Sequence, residues 1–235
     1  MTGQLALNLR LRDSASFANF HPARNAEALD CLRRALDSLA ADKPAERVIY
    51  LWGPAASGRT HLLQAACHHA QASALSYSYV PLFEALHLTP ASLDDLDAAS
   101  LVCLDDMQAI AGKRNWEEAV FALTERLRAR NGLLLAAADA PPAQLNLTLP
   151  DLVTRLTWGP VFPLHALDDD EKLAALQLRA SRLGLELPSD VARYVLSRYP
   201  RDMNSLFAWL ERVDRHSFAA QRKLTIPFVR ELDRD

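Results

Sequence analysis

A chain of 235 residues, half of them apolar and 23% charged, is long enough to bury a core without disulfides or metals. Its net charge of −3 and pI near 6.2 exclude a global basic footprint for nucleic acid and leave room only for a local patch. The separated Cys31, Cys67 and Cys103 read as buried thiols of a reducing compartment, and no apolar run approaches the roughly 20 residues that span a bilayer.

The stretch up to about Pro22 reads as extended or irregular. Its opening, MTGQLALNLRLRD, lacks the basic start and small-residue cleavage pattern of a signal peptide, which predicts a cytoplasmic protein. Leu29, Leu32, Leu36 and Leu39 recur at helical spacing within Asn25–Ala41. VIYLW (Val48–Trp52) is a short β-branched and aromatic run stopped by Gly53, the pattern of a buried strand, and the breaker-free RTHLLQAACHHAQA after Gly58 predicts a helix. A second strand is expected within Ala74–Val80, an irregular piece around Thr89–Pro90, a third strand at Leu101–Leu104, a helix at Trp116–Arg130, a fourth strand at Leu133–Ala138 and a short fifth at Val161–Leu164. Alternating strands and helices predict an α/β fold with a parallel sheet flanked by helices. From Asp168 onward the pattern is helical, punctuated at Gly184, Pro188, Pro200 and Pro227. The expected organisation is an extended segment over 1–22, an α/β domain over 23–166 and a small all-helical domain over 167–235.

Gly53-Pro-Ala-Ala-Ser57-Gly58-Arg59-Thr60 fits the phosphate-loop pattern G-x-x-x-x-G-[K]-[ST] except that arginine replaces lysine. Glycines let backbone N–H groups curl around phosphate oxygens, the following helix aims its dipole at them, and Thr60 offers a hydroxyl to Mg²⁺. Arg59 keeps the positive charge on a bulkier, planar head. LVCLDD (Leu101–Asp106) is an apolar strand ending in acids, so Asp105 is placed to hold Mg²⁺ through water and Asp106 to polarise an attacking water; the plain alternative is two acids capping the next helix. In PDLVTRLTWG, Arg155 is either a solvated surface arginine or a finger reaching a neighbour's triphosphate. His61, His68 and His69 share a helix but have no cysteine or carboxylate cluster beside them, which argues against a metal site. Asp168–Glu171 read as a helix N-terminus with acids facing its dipole.

GPAASGRTHLL, LVCLDDMQAIAG, ADAPPAQLNLTLPDLVTRLTWG and QRKLTIPFVREL, in that order across nearly the whole chain, resemble the AAA+ family of the replication initiator DnaA, and within it the shorter Hda family, which inactivates DnaA. The resemblance implies an AAA+ P-loop α/β domain with a helical lid, ADP or ATP with Mg²⁺ as ligands, and ADP as the favoured resident. It places Arg155 at the arginine-finger position, Asp139 at sensor 1 and Asn25 near the adenine. Arginine at position 59 fits the narrower family. Asn204 stands where the family has its sensor-2 arginine, which argues against autonomous hydrolysis; Arg201, one helical turn earlier, is placed to substitute. QLALNL is similar to the peptide with which such proteins bind the DNA polymerase III sliding clamp, Gln4 bonding at a pocket rim while Leu5, Leu7 and Leu9 fill apolar holes.

The implied partners are the DnaA initiator and the clamp, with DNA reached only through the clamp, no membrane, a cytoplasmic, nucleoid-associated location and a possible homo-oligomer. The expected function is a regulatory adaptor that stimulates ATP hydrolysis on the initiator and prevents re-initiation. The alternatives are a self-contained AAA+ ATPase, such as a helicase loader, hydrolysing its own ATP at Asp105 and Asp106, and a single-stranded DNA-binding module.

Overall fold

The computed structural model describes residues 11–12, 15–43, 46–200, 202–220 and 224–232, which fall into two compact units, one up to Ala166 and one from Leu167 onward. In the first, helix α1 (Ala26–Ala40) precedes strand β1 (Val48–Trp52), α2 (Arg59–Ala72), β2 (Tyr77–Pro81), a single-turn α3 (Leu82–Ala85), β3 (Leu101–Asp105), α4 (Arg114–Ala129), β4 (Leu133–Ala138), α5 (Pro150–Leu156) and β5 (Val161–Pro163). The sheet runs β2-β3-β4-β1-β5, and every neighbouring pair is parallel.

The central strands are buried along nearly their whole length and, apart from Asp105, which ends β3, are apolar because both sheet faces are covered. Their alternate residues divide between two cores, as the two-residue strand period requires. Tyr50, Val102, Leu104, Leu134 and Ala136 face a core filled by Trp116, Val120, Leu123 and Leu127 of α4 and Leu152 and Leu156 of α5. Ile49, Leu51, Leu101, Cys103, Leu133 and Leu135 face the other, filled by Leu29, Leu32 and Leu36 of α1 and Leu62, Leu63 and Ala66 of α2. All three cysteines are free and buried, and the Cys67 and Cys103 sulfurs touch at 3.6 Å. Two stretches read as irregular contain 3₁₀ turns, Phe17–Asn19 and Pro90–Leu93; a single such turn has no repeating apolar period to betray it.

The second unit contains α6 (Asp169–Arg182), α7 (Ser189–Arg198), α8 (Met203–Ala220) and α9 (Ile226–Leu232) around Leu176, Val191, Val195, Leu206, Trp209, Leu210, Val213 and Val229. Asp168 opens α6 with a reciprocal capping box. Glu171 N–H donates to its carboxylate at 2.9 Å, and its own N–H donates to the Glu171 carboxylate at 2.8 Å.

Buried carboxylates fix two loops of the α/β unit to α4. Glu117 is fully buried and accepts from Gly112 N–H (2.9 Å), the Thr148 hydroxyl (2.8 Å) and Leu149 N–H (2.8 Å), which ties the segment entering α5 to α4. Burial alone pushes its carboxyl up, but these hydrogen bonds outweigh burial and hold it below the usual range. Asp97 accepts from Arg126 at 2.8 Å and pairs with Arg130 at 2.9 Å, and the Arg126 hydrogen bond holds its carboxyl down. A depressed carboxyl contributes stability above its unfolded pKa and loses it as pH falls through the lower folded value. The chain is therefore expected to lose stability below about pH 4, where unfolded carboxylates titrate. Glu117→Ala, which orphans buried donors, is expected to destabilise by about 3 kcal/mol in urea denaturation at pH 7; an unchanged midpoint would contradict this account of the α5 entry.

Candidate nucleotide site

The loop between β1 and α2 leaves the sheet at Gly53, whose N–H donates to Ala138 O at 3.2 Å and so roots the loop beside the end of β4. Ala56 (φ 62°) and Gly58 (φ 95°) take left-handed backbone conformations. The positive φ of Gly58 favours glycine there, and a Cβ would lie 2.7 Å from the Phe20 ring edge, which would have to move. The segment before α1 is pinned along α2: His61 Nε2 donates to Ser16 O at 2.9 Å, His68 Nε2 to Arg12 O at 3.1 Å, and Arg12 N–H to Gln64 Oε1 at 3.3 Å. His69 pairs with Asp37. The α2 histidines thus hold backbone and a surface acid, and the described residues contain no cluster of three or more His, Cys, Asp or Glu placed to hold a metal.

Two polar atoms in the loop are buried without a hydrogen-bond partner, Ser57 Oγ and Arg59 Nη1. Leaving them so costs free energy that an anion's oxygens would recover. They lie at the start of a 14-residue helix whose first N–H groups point the same way. Thr60 Oγ1 donates to Asp105 Oδ2 at 2.6 Å, and the Tyr79 hydroxyl donates to the same oxygen at 2.9 Å. Burial pushes the Asp105 carboxyl above the usual range, with the Asp106 charge adding to it, and the two hydroxyls work against the shift. Burial and then the Asp105 charge push the Tyr79 phenol up, so it stays a donor. A hydroxyl and a carboxylate converging beside a phosphate cradle suit Mg²⁺, which takes oxygen ligands and keeps waters. Thr60 and Asp105 would hold it, and the ion would neutralise phosphate charge there.

Asp106 follows in a left-handed conformation (φ 59°), and Gln108 Nε2 donates to its carboxylate at 2.9 Å. Gln108 Oε1 accepts from Asp139 N–H at 3.3 Å, so one amide links the acid after β3 to the residue after β4. A cavity of about 650 Å³ opens there, lined by Gln108, Gly112, Asp139, Gln144 and Asn146 among others, and no phosphate-loop residue lines it. Asn25 is buried, and both ends of its amide engage His165: Nδ2 donates to His165 O at 2.9 Å and Oδ1 accepts from His165 N–H at 2.8 Å. Its observed work is to clamp the chain entering α1 onto the segment after β5. Spacing alone points to neither Gln108 nor Tyr79, because Asp139, which Gln108 engages, follows a different strand and Asp105, which Tyr79 engages, ends one.

Arg155, in the last turn of α5, donates from Nε to Glu125 Oε1 at 2.6 Å. Its guanidinium carbon lies 4.0 Å from the Trp158 ring centroid and 5.4 Å from that of Phe121. No phosphate-loop residue is among its contacts. Asn204 lies on α8. Gln4, Leu5, Leu7, Leu9 and Arg201 lie outside the described residues.

Residues 169–232 match the model of the Hda lid domain. Domain III of the Thermotoga maritima initiator DnaA superposes with a TM-score of 0.72 at 18% identity, over 95% of this chain and 97% of that one. AMPPCP-bound DnaA from Aquifex aeolicus gives 0.70 at 22% identity over 86% of this chain and 66% of that one. The Holliday-junction branch migration motor RuvB of Thermotoga maritima gives 0.64 at 14% identity over 92% of this chain and 72% of that one. The chain spans about two thirds of the length of the replication-initiation structures it matches, two of them DnaA bound to AMPPCP. A phosphate loop after β1, acids ending β3 and a following helical unit define an AAA+ P-loop fold. Residues 169–232 carry a lid of the Hda type, and the chain shares the fold of domain III of the initiator DnaA.

Arg59 carries a buried, unpartnered nitrogen, so Arg59→Met should leave the ligand-free melting temperature unchanged or raise it. The same substitution should weaken adenine nucleotide binding by about tenfold or more in calorimetric titration. Undiminished affinity would remove Arg59 from the site.

Proposed function

We propose that this protein is a regulatory adaptor of replication initiation that holds an adenine nucleotide, with ADP as the resident form, at Ser57, Gly58, Arg59 and Thr60. Asn25 and Asp139 are proposed to complete the nucleotide's surroundings within the α/β unit. In this reading Gln4–Leu9 dock on the DNA-loaded sliding clamp, DNA is reached only through the clamp, and Arg155 is presented to ATP held by DnaA. Hydrolysis then occurs on the initiator, which is left in its inactive ADP form. An arginine finger of this kind is worth roughly 10³–10⁵ in rate in GTPases. The observation that carries the reading is the Hda lid match over residues 169–232 on a DnaA-like α/β unit. The AMPPCP held by DnaA structures of the same fold supports an adenine nucleotide here. No helix among the described residues is long and apolar enough to cross a membrane; the cytoplasmic, nucleoid-associated location is part of the proposal.

A second reading, a self-contained ATPase such as a helicase loader, is favoured by the Thr60–Asp105 hydrogen bond and by Asp106 beside it, an arrangement an ATPase would also need. Two measurements separate the two. The adaptor reading expects Gln4→Ala/Leu5→Ala to abolish capture by immobilised clamp and expects the isolated chain to turn over ATP no faster than background. Steady ATP turnover by the isolated chain, abolished by Asp106→Asn, together with unaltered clamp capture, would select the motor.

A further inference from the structure

Resting on the reading of Arg155 as the finger, we infer that Glu125 is its positioning residue, fixing the guanidinium so that its outer nitrogens face a phosphate on a second protein. Helix α4 carries Glu117, Phe121 and Glu125 at intervals of four, which sets all three on one helical face. That face holds α5 at both ends. Glu117 takes the Thr148 hydroxyl and Leu149 N–H at its entry, and Glu125 takes Arg155 Nε at its exit, with Phe121 against the guanidinium. Trp158, which follows α5, supplies a flat surface on which Arg155 and Arg128 both rest, at 4.0 and 4.2 Å. The turn carrying Trp158 can sit there because Gly159 packs on Val48 O, where any Cβ would overlap the carbonyl.

Which nitrogen Glu125 holds decides between presenting the arginine and withdrawing it. A carboxylate that withdrew the finger would take two parallel bonds from the guanidinium, the arrangement that competes with a phosphate for the same donors. The observed bond is a single one, to the inner Nε. Nη1 and Nη2 have no hydrogen-bond partner among the described residues and are not among its buried unpaired atoms. Held at Nε and supported on an indole, the side chain has few rotamers to lose when a partner's triphosphate arrives, and its remaining donors match tetrahedral phosphoryl oxygens. The carboxylate's own charge works against attraction of an anion, so the benefit of Glu125 lies in geometry.

The test is ATP turnover on the partner initiator, titrated with the full chain in the presence of loaded clamp. Glu125→Ala is expected to lower the maximal stimulated rate about tenfold while the half-saturating concentration stays the same, as lost immobilisation of one long side chain requires. Glu125→Gln, whose amide oxygen still accepts from Nε, is expected to recover most of that rate. A maximal rate at or above wild type in Glu125→Ala identifies a latch and overturns the inference. A loss as deep in Glu125→Gln as in Glu125→Ala, or a change confined to half-saturation, overturns it too. Arg155→Ala in the same titration isolates the underlying reading: undiminished stimulation there removes the finger itself, whatever the Glu125 variants do.

Discussion

Parallel pairing of β1, β3 and β4 places the carboxyl ends of three strands at one edge of the sheet, and the candidate nucleotide site depends on that constraint. The phosphate loop leaves β1 there, Asp105 ends β3 there, and Asp139 follows β4 there. The hydrogen bond from Thr60 to Asp105 locks the first two together across 45 residues, and Gln108 bridges the acid after β3 to Asp139. Because these strands are sealed on both faces, the edge is a rigid base from which short loops project fixed side chains.

On that base the α/β unit carries two separate groups of side chains. The phosphate loop leaves Ser57 Oγ and Arg59 Nη1 buried and unsatisfied, an arrangement that favours the liganded state over the empty one. Arg155 belongs to the other group, held against α4 by Glu125 and Phe121 and resting on Trp158. In the proposed reading, arginine in place of lysine at position 59 and asparagine at position 204 belong to a chain that keeps its nucleotide, while Arg155 serves a nucleotide elsewhere.

Legibility in the sequence followed the range of the interaction. The three central strands were readable because burial on both faces demands unbroken apolar runs such as LVCL and LLLAAA, and the capping acids before α6 were readable because a helix start is a local event. The glycine loop and the acids after β3 were readable for the same reason. Glu117 and Glu125 were not, since each looks like an ordinary solvated helix charge until Leu149 or Arg155, some 30 residues away, is brought against it. His61 and His68 drew attention by spacing, yet their partners are backbone carbonyls, which sequence pattern cannot show. The clamp-binding segment rests on sequence alone, as Gln4, Leu5, Leu7 and Leu9 lie outside the described residues.

The central claim is that the arginine of this chain acts on a nucleotide held by another protein. Phosphate release from γ-labelled ATP preloaded on the initiator, followed in a single turnover with loaded clamp and this chain in its ADP form, addresses it without interference from any ATP bound here. The account predicts rapid release with the wild-type chain and release at the unstimulated rate with Arg155→Ala. Equal release with both would contradict it.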